Sequence, residues 1–331
     1  TSATPLKPFD IVVAQVEASA GESLHELVEE LDNAVPSLKT YQEPSTLILS
    51  TAALLQGEAP TKATFLSDGF AKRLFRDWDE ISCGIRRCIS FLEEERIFDG
   101  KRLPSDISLY LQSALWACAP QGLDAEGKAR RILRSALWRG FCTERYEKTS
   151  ATRTIVDFKA LRDFSDEGVS AAPLFDEESY PLPSNGEILT AGWPVRKERL
   201  ARVILALSLR SGGLDFADGT PAARDHLMHR EYHHIFPKNW LELKGYAPHQ
   251  INRALNCALV SWRTNRTISN KQPSDYLADR LEASSLDHSL VVTRIESHLL
   301  PVEPIRNNNY EDFLEERIRL IRGEMMKLID I

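Results

Sequence analysis

The sequence predicts a mainly α-helical protein, in which an irregular helical bundle is followed by a small unit of two strands and a helix. Apolar residues recur every three or four positions through most of the chain, which is the spacing of a packed helix face. Two short segments depart from this spacing, residues 229–237 and 257–262, and their apolar and aromatic residues favour strands.

The composition is that of an ordinary globular protein. The chain has 331 residues, 43% hydrophobic and 27% charged, which is long enough for two domains. It contains no run of about 18 apolar residues, so we expect no membrane span. Its five cysteines are widely spaced without a Cys-x-x-Cys pair, which argues against a disulfide framework and a structural zinc site and favours a reducing cytoplasm.

The first half of the chain predicts the helices of the bundle. They are expected over 65–97, 104–120, 124–146 and 151–164. None would be stable alone, so their apolar faces must pack together. Prolines and glycines interrupt the pattern over 168–195, which predicts a linker or an irregular connection. Amphipathic helices are predicted again over 195–213 and 310–329, so we expect a helical domain over 1–167 and a second domain over 196–331.

Charge is unevenly distributed along the chain. The net charge is −7, yet residues 128–163 hold ten Lys and Arg against four acids, and residues 224–271 hold eight against three. Residues 1–60 hold nine acids against two lysines. A basic segment is either a solvated helix face or a surface for an anion such as DNA, and both interpretations stay open for 128–163.

Two adjacent histidines, His233 and His234, end the first predicted strand, in a chain with only eight histidines. Successive side chains of a strand point to opposite faces, so both imidazoles cannot bind one metal ion in a regular strand. One could hold a metal ion while the other deprotonates a water, because neutral imidazole is a good ligand and a pKa of about 6.5 suits a general base. The remaining ligands must then be oxygen donors from elsewhere.

Two asparagines downstream offer such oxygens. Asn256 opens the second predicted strand, and Asn265 follows nine residues later, where a helix is expected to begin with Thr264 as its cap. Asn270 is expected at a helix or turn rather than at a metal ion. The order of strand, strand and helix predicts a β-β-α unit around one cation.

The segments "HHIFPKNWL" (233–241) and "NCALVSWRTNRTISNKQPSDYL" (256–277) resemble the HNH nuclease motif of the ββα-metal, or His-Me finger, class. The step from Asn256 to Asn265 also resembles the HNH domain of RNA-guided CRISPR nucleases. A narrower resemblance is to the C-terminal nuclease of GmrSD-type restriction proteins, including the SspE branch that accompanies DNA phosphorothioation. "LWRGFCTERY" and "TRTIVDFKAL" are similar to that family's helical middle. The resemblance is specific across 229–277 and looser elsewhere.

The resemblance implies catalytic roles for His234, as the general base, and for Asn256, which would fix the loop and orient that base. It implies metal ligation by His233, where many relatives have Asp, and by Asn265. Replacing Asp by His removes a negative charge, so Mg²⁺ is expected with Mn²⁺ or a softer ion as alternatives.

Four cations near the motif are expected to bind DNA phosphates: Arg266, Lys271, Arg230 and Lys238. Trp262 is expected in the hydrophobic core rather than as a platform for a base.

The implied function is metal-dependent hydrolysis of phosphodiester bonds in double-stranded DNA, by nicking, in the cytoplasmic restriction of phage. The alternative is a non-catalytic DNA-binding or scaffolding module of a defence complex, and RNA cleavage also stays open. The family's N-terminal half carries a nucleotide-dependent sensor with a D-G-Q-Q-R-like motif, which this chain lacks along with any P-loop. We therefore expect an NTPase or sensor domain on an N-terminal part of the same protein, with a homo-oligomer as a further option.

Overall fold

The computed structural model describes residues 6–20, 23–195, 198–268, 271–283 and 287–331; Asn270 lies outside these ranges. Within them the protein is mainly helical, with one antiparallel sheet of two strands. The mainly α-helical class predicted from the sequence is confirmed.

The helices of the first half form the bundle. They are α1 (Pro8–Ala20), α2 (Leu24–Ala34), α3 (Leu38–Tyr41), α4 (Pro44–Leu55), α5 (Lys62–Phe65), α6 (Phe70–Arg76), α7 (Trp78–Glu94), α8 (Asp106–Cys118), α9 (Leu123–Cys142) and α10 (Ser150–Leu161). The last three confirm the helices predicted over 104–120, 124–146 and 151–164. The centre of the bundle is α8, which packs against α4, α7, α9 and α10 and buries Trp116.

The single helix predicted over 65–97 is wrong. Gly69 adopts a left-handed conformation with φ of 75° immediately before α6, and Asp77 separates α6 from α7. A left-handed residue cannot continue a right-handed helix, and glycine takes that conformation without steric cost. Apolar spacing continues across the break, which is why periodicity alone predicted one long helix.

The basic segment 128–163 is largely engaged in ion pairs. Arg145 and Asp157 form a buried pair at 2.9 Å, Arg139 contacts Glu177 at 2.6 Å, and Arg134 contacts the buried Glu95 at 2.7 Å. These cations hold the bundle together, whereas the exposed Arg131, Lys148 and Lys159 form no ion pair with another described residue and leave some charge free for an anion.

Residues 168–195 form an irregular connection that packs on the core. It contains the end of α11 (Asp166–Ala171), a 3₁₀ turn at Pro173–Phe175 and α12 (Asn185–Thr190). Ser184 and Glu187 cap α12 reciprocally, which satisfies backbone N–H groups at its start. The buried Leu174 and Ile188 anchor this connection to the core.

The second half contains the sheet and the remaining helices. They are α13 (Arg199–Arg210), α14 (Arg224–Leu227), β1 (Arg230–His234), α15 (Lys238–Leu243), α16 (Pro248–Ile251), β2 (Cys257–Ser261), α17 (Trp262–Ile268), α18 (Pro273–Ala283), α19 (His288–Glu296), α20 (Val302–Arg306) and α21 (Tyr310–Ile329). The helix predicted over 310–329 is confirmed by α21, and α13 occupies the centre of the helix predicted over 195–213.

The two strands pair antiparallel in a register that sets Arg230 opposite Ser261 and His234 opposite Cys257. The strand predicted over 229–237 is shorter than expected, because β1 ends at His234 and Pro237 already leads into α15. Helix α17 follows β2 without a loop and packs against both strands. The structure therefore contains the predicted order of strand, strand and helix.

The main hydrophobic core runs through the described residues from Phe9 to Ile329, and a smaller cluster is formed by Leu205, Leu209, Ala222, Leu227 and Leu259. Helix α21 packs against α9, α12 and α13, which joins the end of the chain to the bundle. Within the described ranges, residues before 167 and after 196 belong to the same core. Among the described helices, none combines the length and apolar character that crossing a bilayer requires.

Candidate active site

The two histidines of β1 lie on opposite faces of the sheet. His233 contacts Asn265 of α17, whereas His234 stacks on Trp193 with ring centroids 4.0 Å apart and an interplanar angle of 17°. The neighbours alternate in the same way: Glu231 also contacts Asn265, and Tyr232 also lies against Trp193. The strand alternation predicted from the sequence is confirmed by these contacts.

Asn265 links two residues of the inner face. Its amide Nδ2 donates to Glu231 Oε2 at 2.6 Å, and its Oδ1 lies 2.7 Å from His233 Nδ1. Because Glu231 fixes the amide's orientation and an amide oxygen can only accept, the neutral His233 carries its proton on Nδ1. Glu231, His233 and Asn265 thus form one hydrogen-bonded chain between strand and helix.

His233 is buried and uncharged. Burial lowers the pKa of its imidazole to about 4, against the smaller raising effect of its hydrogen bond with Asn265. Its Nε2 is also buried and has no hydrogen-bond partner among the described residues. The neutral imidazole is the form that binds a metal ion.

His234 is half-buried and held by two neighbouring side chains. Its Nε2 donates to Asn252 Oδ1 at 3.0 Å, which leaves the lone pair on Nδ1, and Trp193 covers one face of the ring. Burial lowers the pKa of this imidazole, and the positive charge of Lys238 acts in the same direction. His234 is therefore neutral near pH 7 and has a basic nitrogen free to take a proton.

Asn256 holds the loop between the strands. It is fully buried, its Oδ1 accepts from Phe236 N at 2.8 Å, and its Nδ2 donates to Phe236 O at 3.0 Å and Ile251 O at 3.1 Å. These bonds fix the chain directly after His234. The side chain that forms a hydrogen bond with His234 is Asn252, so the imidazole is oriented by that residue and by the stacked Trp193 rather than by Asn256.

Asp215 fixes the start of α17. Its buried carboxylate accepts from Ser261 N at 2.6 Å, from Thr264 Oγ1 at 2.5 Å and from Ala217 N at 3.0 Å. Burial tends to raise the pKa of this carboxyl, but the hydrogen bonds outweigh it and keep the pKa below its ordinary value. The expected cap at Thr264 is wrong: Ser261 caps α17, since its Oγ accepts from Thr264 N at 3.2 Å.

Arg230, expected at a phosphate, is buried at the start of β1. Its guanidinium donates to Gly213 O at 2.5 Å, to Leu259 O at 3.2 Å and to Thr220 O. Because this guanidinium is bonded to backbone carbonyls, it supports the strands and cannot reach a phosphate. The expectation that Arg230 binds a DNA phosphate is therefore wrong.

The other three cations expected at phosphates are exposed. Arg266 lies over the ring of Trp262, 4.4 Å from its centroid, Lys271 pairs with Asp279, and Lys238 pairs with Glu242 at 3.7 Å. The expectation that Trp262 belongs to the core is wrong, because 49% of this residue is exposed.

The inner face has the donor types that a divalent cation accepts: a carboxylate at Glu231, an amide oxygen at Asn265 and an imidazole at His233. Two neighbouring ligands of octahedral Mg²⁺ lie about 3.0 Å apart at bond lengths of about 2.1 Å, slightly more than the 2.7 Å between His233 Nδ1 and Asn265 Oδ1. The donor set thus fits a cation if the imidazole proton moves to the unpaired Nε2. No group of three or more His, Cys, Asp and Glu side chains arranged for a metal ion occurs in the described parts of the chain.

Sequence reasoning missed Glu231, Asn252, Trp193 and Asp215. Glu231 could have been found, because it lies two residues before His233 and therefore on the same face of the strand. The other three approach from separate segments, and nothing in the local pattern marks them.

No family model matches the chain. An uncharacterized protein of Methanocaldococcus jannaschii is similar to it, with 24% identity over 217 residues. The match covers 58% of this chain and 36% of that protein, so the chain spans about a third of the length of this relative.

Proposed function

We propose that the protein is a metal-dependent DNA endonuclease whose active site lies at the end of β1. The main support for the proposal is that two neighbouring histidines have different surroundings. His233 contacts an amide oxygen that a carboxylate fixes, while the adjacent His234, the last residue of β1, is close enough to influence the pKa of His233 and has an Nδ1 without a partner among the described residues. The sequence resemblance to HNH nucleases across 229–277 supports the same assignment.

The proposed reaction is hydrolysis of a phosphodiester bond. A divalent ion, expected to be Mg²⁺ or Mn²⁺, supplies electrostatic stabilisation of the charge that develops on the phosphate and the leaving oxygen. His233 and Asn265 hold it, and Glu231 supplies the negative charge that His233 lacks as a replacement for Asp. His234 accepts a proton from the attacking water at Nδ1, while Asn252 and Trp193 keep its ring in place. The products are a 5′-phosphate and a 3′-hydroxyl.

Two exposed cations are the proposed phosphate contacts. Arg266 follows Asn265 directly on α17, and Lys238 lies close enough to His234 to influence its pKa. Lys271 is a third proposed contact. It pairs with Asp279 and would exchange this carboxylate for a phosphate. Arg230 is left out because its guanidinium is buried.

The biological setting we propose is restriction of phage DNA. In that setting double-stranded DNA is the substrate, and an NTPase or sensor domain on another part of the same protein controls cleavage. The support for this setting is the narrower resemblance to GmrSD-type proteins.

Plasmid nicking tests the activity. Supercoiled plasmid incubated with the protein and Mg²⁺ or Mn²⁺ should become open circular, and a chelator should prevent this. His234→Ala should abolish nicking, whereas His229→Ala, an exposed histidine just before β1, should not. Equal nicking by wild type and His234→Ala would remove His234 from the mechanism.

The alternative function is a non-catalytic DNA-binding module. It is favoured by the closed hydrogen bond between His233 and Asn265, which occupies the nitrogen that a cation would share with the amide oxygen. DNA retention that weakens steeply with salt, without cleavage in any divalent metal, would support this alternative.

A further inference from the structure

Helix α17 presents a paired aromatic ring and cation to solvent. Trp262 is 49% exposed, and the guanidinium carbon of Arg266 lies 4.4 Å from the centre of its ring. The two residues are one helical turn apart, so the contact fixes both side chains without involving the core. The exposed part of the indole is available to a binding partner, with the guanidinium of Arg266 beside it.

The pair lies beside the candidate active site. Asn265, which contacts His233, is three residues from Trp262 and adjacent to Arg266 on the same helix. Side chains three residues apart on a helix have Cβ atoms about 5–6 Å apart. Since a nucleic acid strand advances about 3.4 Å per nucleotide, a phosphate at Asn265 would place Trp262 within about two nucleotides of it.

The surroundings of Trp262 are positively charged. Arg263 and Arg266 are both exposed, neither forms an ion pair with another described residue, and α17 contains no acid. An exposed aromatic ring with one guanidinium over it, on a helix that has a second unpaired arginine and no acid, matches a polyanion that carries flat rings. An apolar protein segment would instead leave both arginines without a counter-charge.

We propose that Trp262 is a stacking platform for an unpaired nucleobase of the DNA substrate, with Arg266 and Arg263 on its flanking phosphates. In a regular duplex every base is stacked on both faces, so the platform requires a single-stranded or locally unstacked nucleotide. The inference rests on the proposed function, since it takes DNA as the substrate, and it adds a preference for DNA whose bases are accessible next to the cleaved bond.

Binding of labelled oligonucleotides by the full chain, in the presence of a chelator, tests the platform without any cleavage. The probes are an oligo-dT strand and a strand of equal length with abasic residues, which keeps the phosphates and removes the rings. Wild type should bind oligo-dT about tenfold more tightly than the abasic strand. Trp262→Ala should lose this difference, and Trp262→Phe should retain most of it.

The chain offers a comparison in Trp240, which packs partly against the core and also carries a cation one turn later: Lys244 Nζ lies 5.3 Å from the centre of its ring. Trp240→Ala should leave the difference between the two probes unchanged. The proposal is overturned if wild type binds both strands equally, if Trp262→Ala keeps the difference, or if Trp240→Ala loses it as well.

Failure of the platform and failure of the nuclease are separable. Loss of plasmid nicking with intact base discrimination would refute the proposed catalysis and leave the platform standing. Nicking without base discrimination would refute the platform alone.

Discussion

Neighbouring residues of β1 have different surroundings because successive side chains of a strand point to opposite faces. His233 lies in a closed, dry environment against Asn265, and burial keeps it neutral. His234 lies under Trp193 with one nitrogen bound to Asn252 and the other free. In the proposed mechanism the same residue type would therefore serve as a metal ligand at His233 and as a base at His234.

Glu231 is the residue that restores charge to the inner face. Glu231→Gln keeps the size of the side chain and removes the carboxylate that receives Asn265 Nδ2 at 2.6 Å. We expect the affinity for Mn²⁺ to fall about tenfold, because the outer partners of a metal ligand have effects of that order. Titration calorimetry and the Mn²⁺ dependence of nicking measure this change.

Glu242→Gln is the matched control for that variant, since Glu242 is exposed and pairs only with Lys238 among the described residues. It should bind Mn²⁺ like wild type. An unchanged affinity in Glu231→Gln would exclude Glu231 from the metal site.

At the scale of elements, the β-β-α unit depends on side chains that satisfy backbone groups. Asn256→Ala would remove three hydrogen bonds to Phe236 and Ile251 and leave their buried backbone groups unpaired. We expect the free energy of unfolding to fall by about 2–4 kcal/mol. Denaturant unfolding measures it, with the exposed Asn307→Ala as a control that should change it by less than about 0.5 kcal/mol. A neutral Asn256→Ala would show that the loop does not depend on these bonds.

The order and faces of these elements could be predicted because they follow from local rules. Alternation along a strand separates His233 from His234, and the segment beginning at Cys257 is apolar enough to form the second strand. The contacts of Trp193 and Asp215 could not be predicted, because both residues come from distant loops and act through tertiary packing. The exposure of Trp262 could not be predicted either, because a tryptophan beside an apolar strand is usually buried.

At the scale of the whole molecule, Glu95 joins the bundle to the second half. It is 1% exposed and accepts from Arg134 Nε at 2.7 Å, Arg210 Nε at 2.7 Å and Trp138 Nε1 at 3.0 Å. Arg210 of α13 also contacts Glu324 of α21 at 3.3 Å. The two predicted domains therefore share one polar cluster as well as one core.

The protonation of Glu95 should make stability depend on pH. Burial alone would raise the pKa of Glu95, but hydrogen bonds from Arg210, Trp138 and Arg134 outweigh it and hold the pKa below its ordinary value. A lowered folded pKa contributes stability above the unfolded pKa of about 4.3, and that stability is lost as the pH falls further. Glu95→Gln should therefore cost about 2 kcal/mol at pH 7 and flatten the acid limb of the stability curve.

Glu94→Gln provides the comparison, because Glu94 is the preceding residue, is half exposed and pairs with Arg130. It should cost less than about 1 kcal/mol and retain the acid limb of wild type. Equal effects of the two variants in denaturant unfolding would show that Glu95 has no special part in joining the halves.

Chemical rescue with imidazole tests the proposed role of His234 as the general base of a metal-dependent nuclease. In Mg²⁺ or Mn²⁺, His234→Ala should nick plasmid about 10²–10⁴-fold more slowly than wild type. Imidazole added in solution can enter the space beneath Trp193, and nicking should then rise in proportion to its concentration. Asn265→Ala, which keeps the base, should not respond to imidazole. Nicking by His234→Ala at the wild-type rate, without imidazole, would contradict the claim.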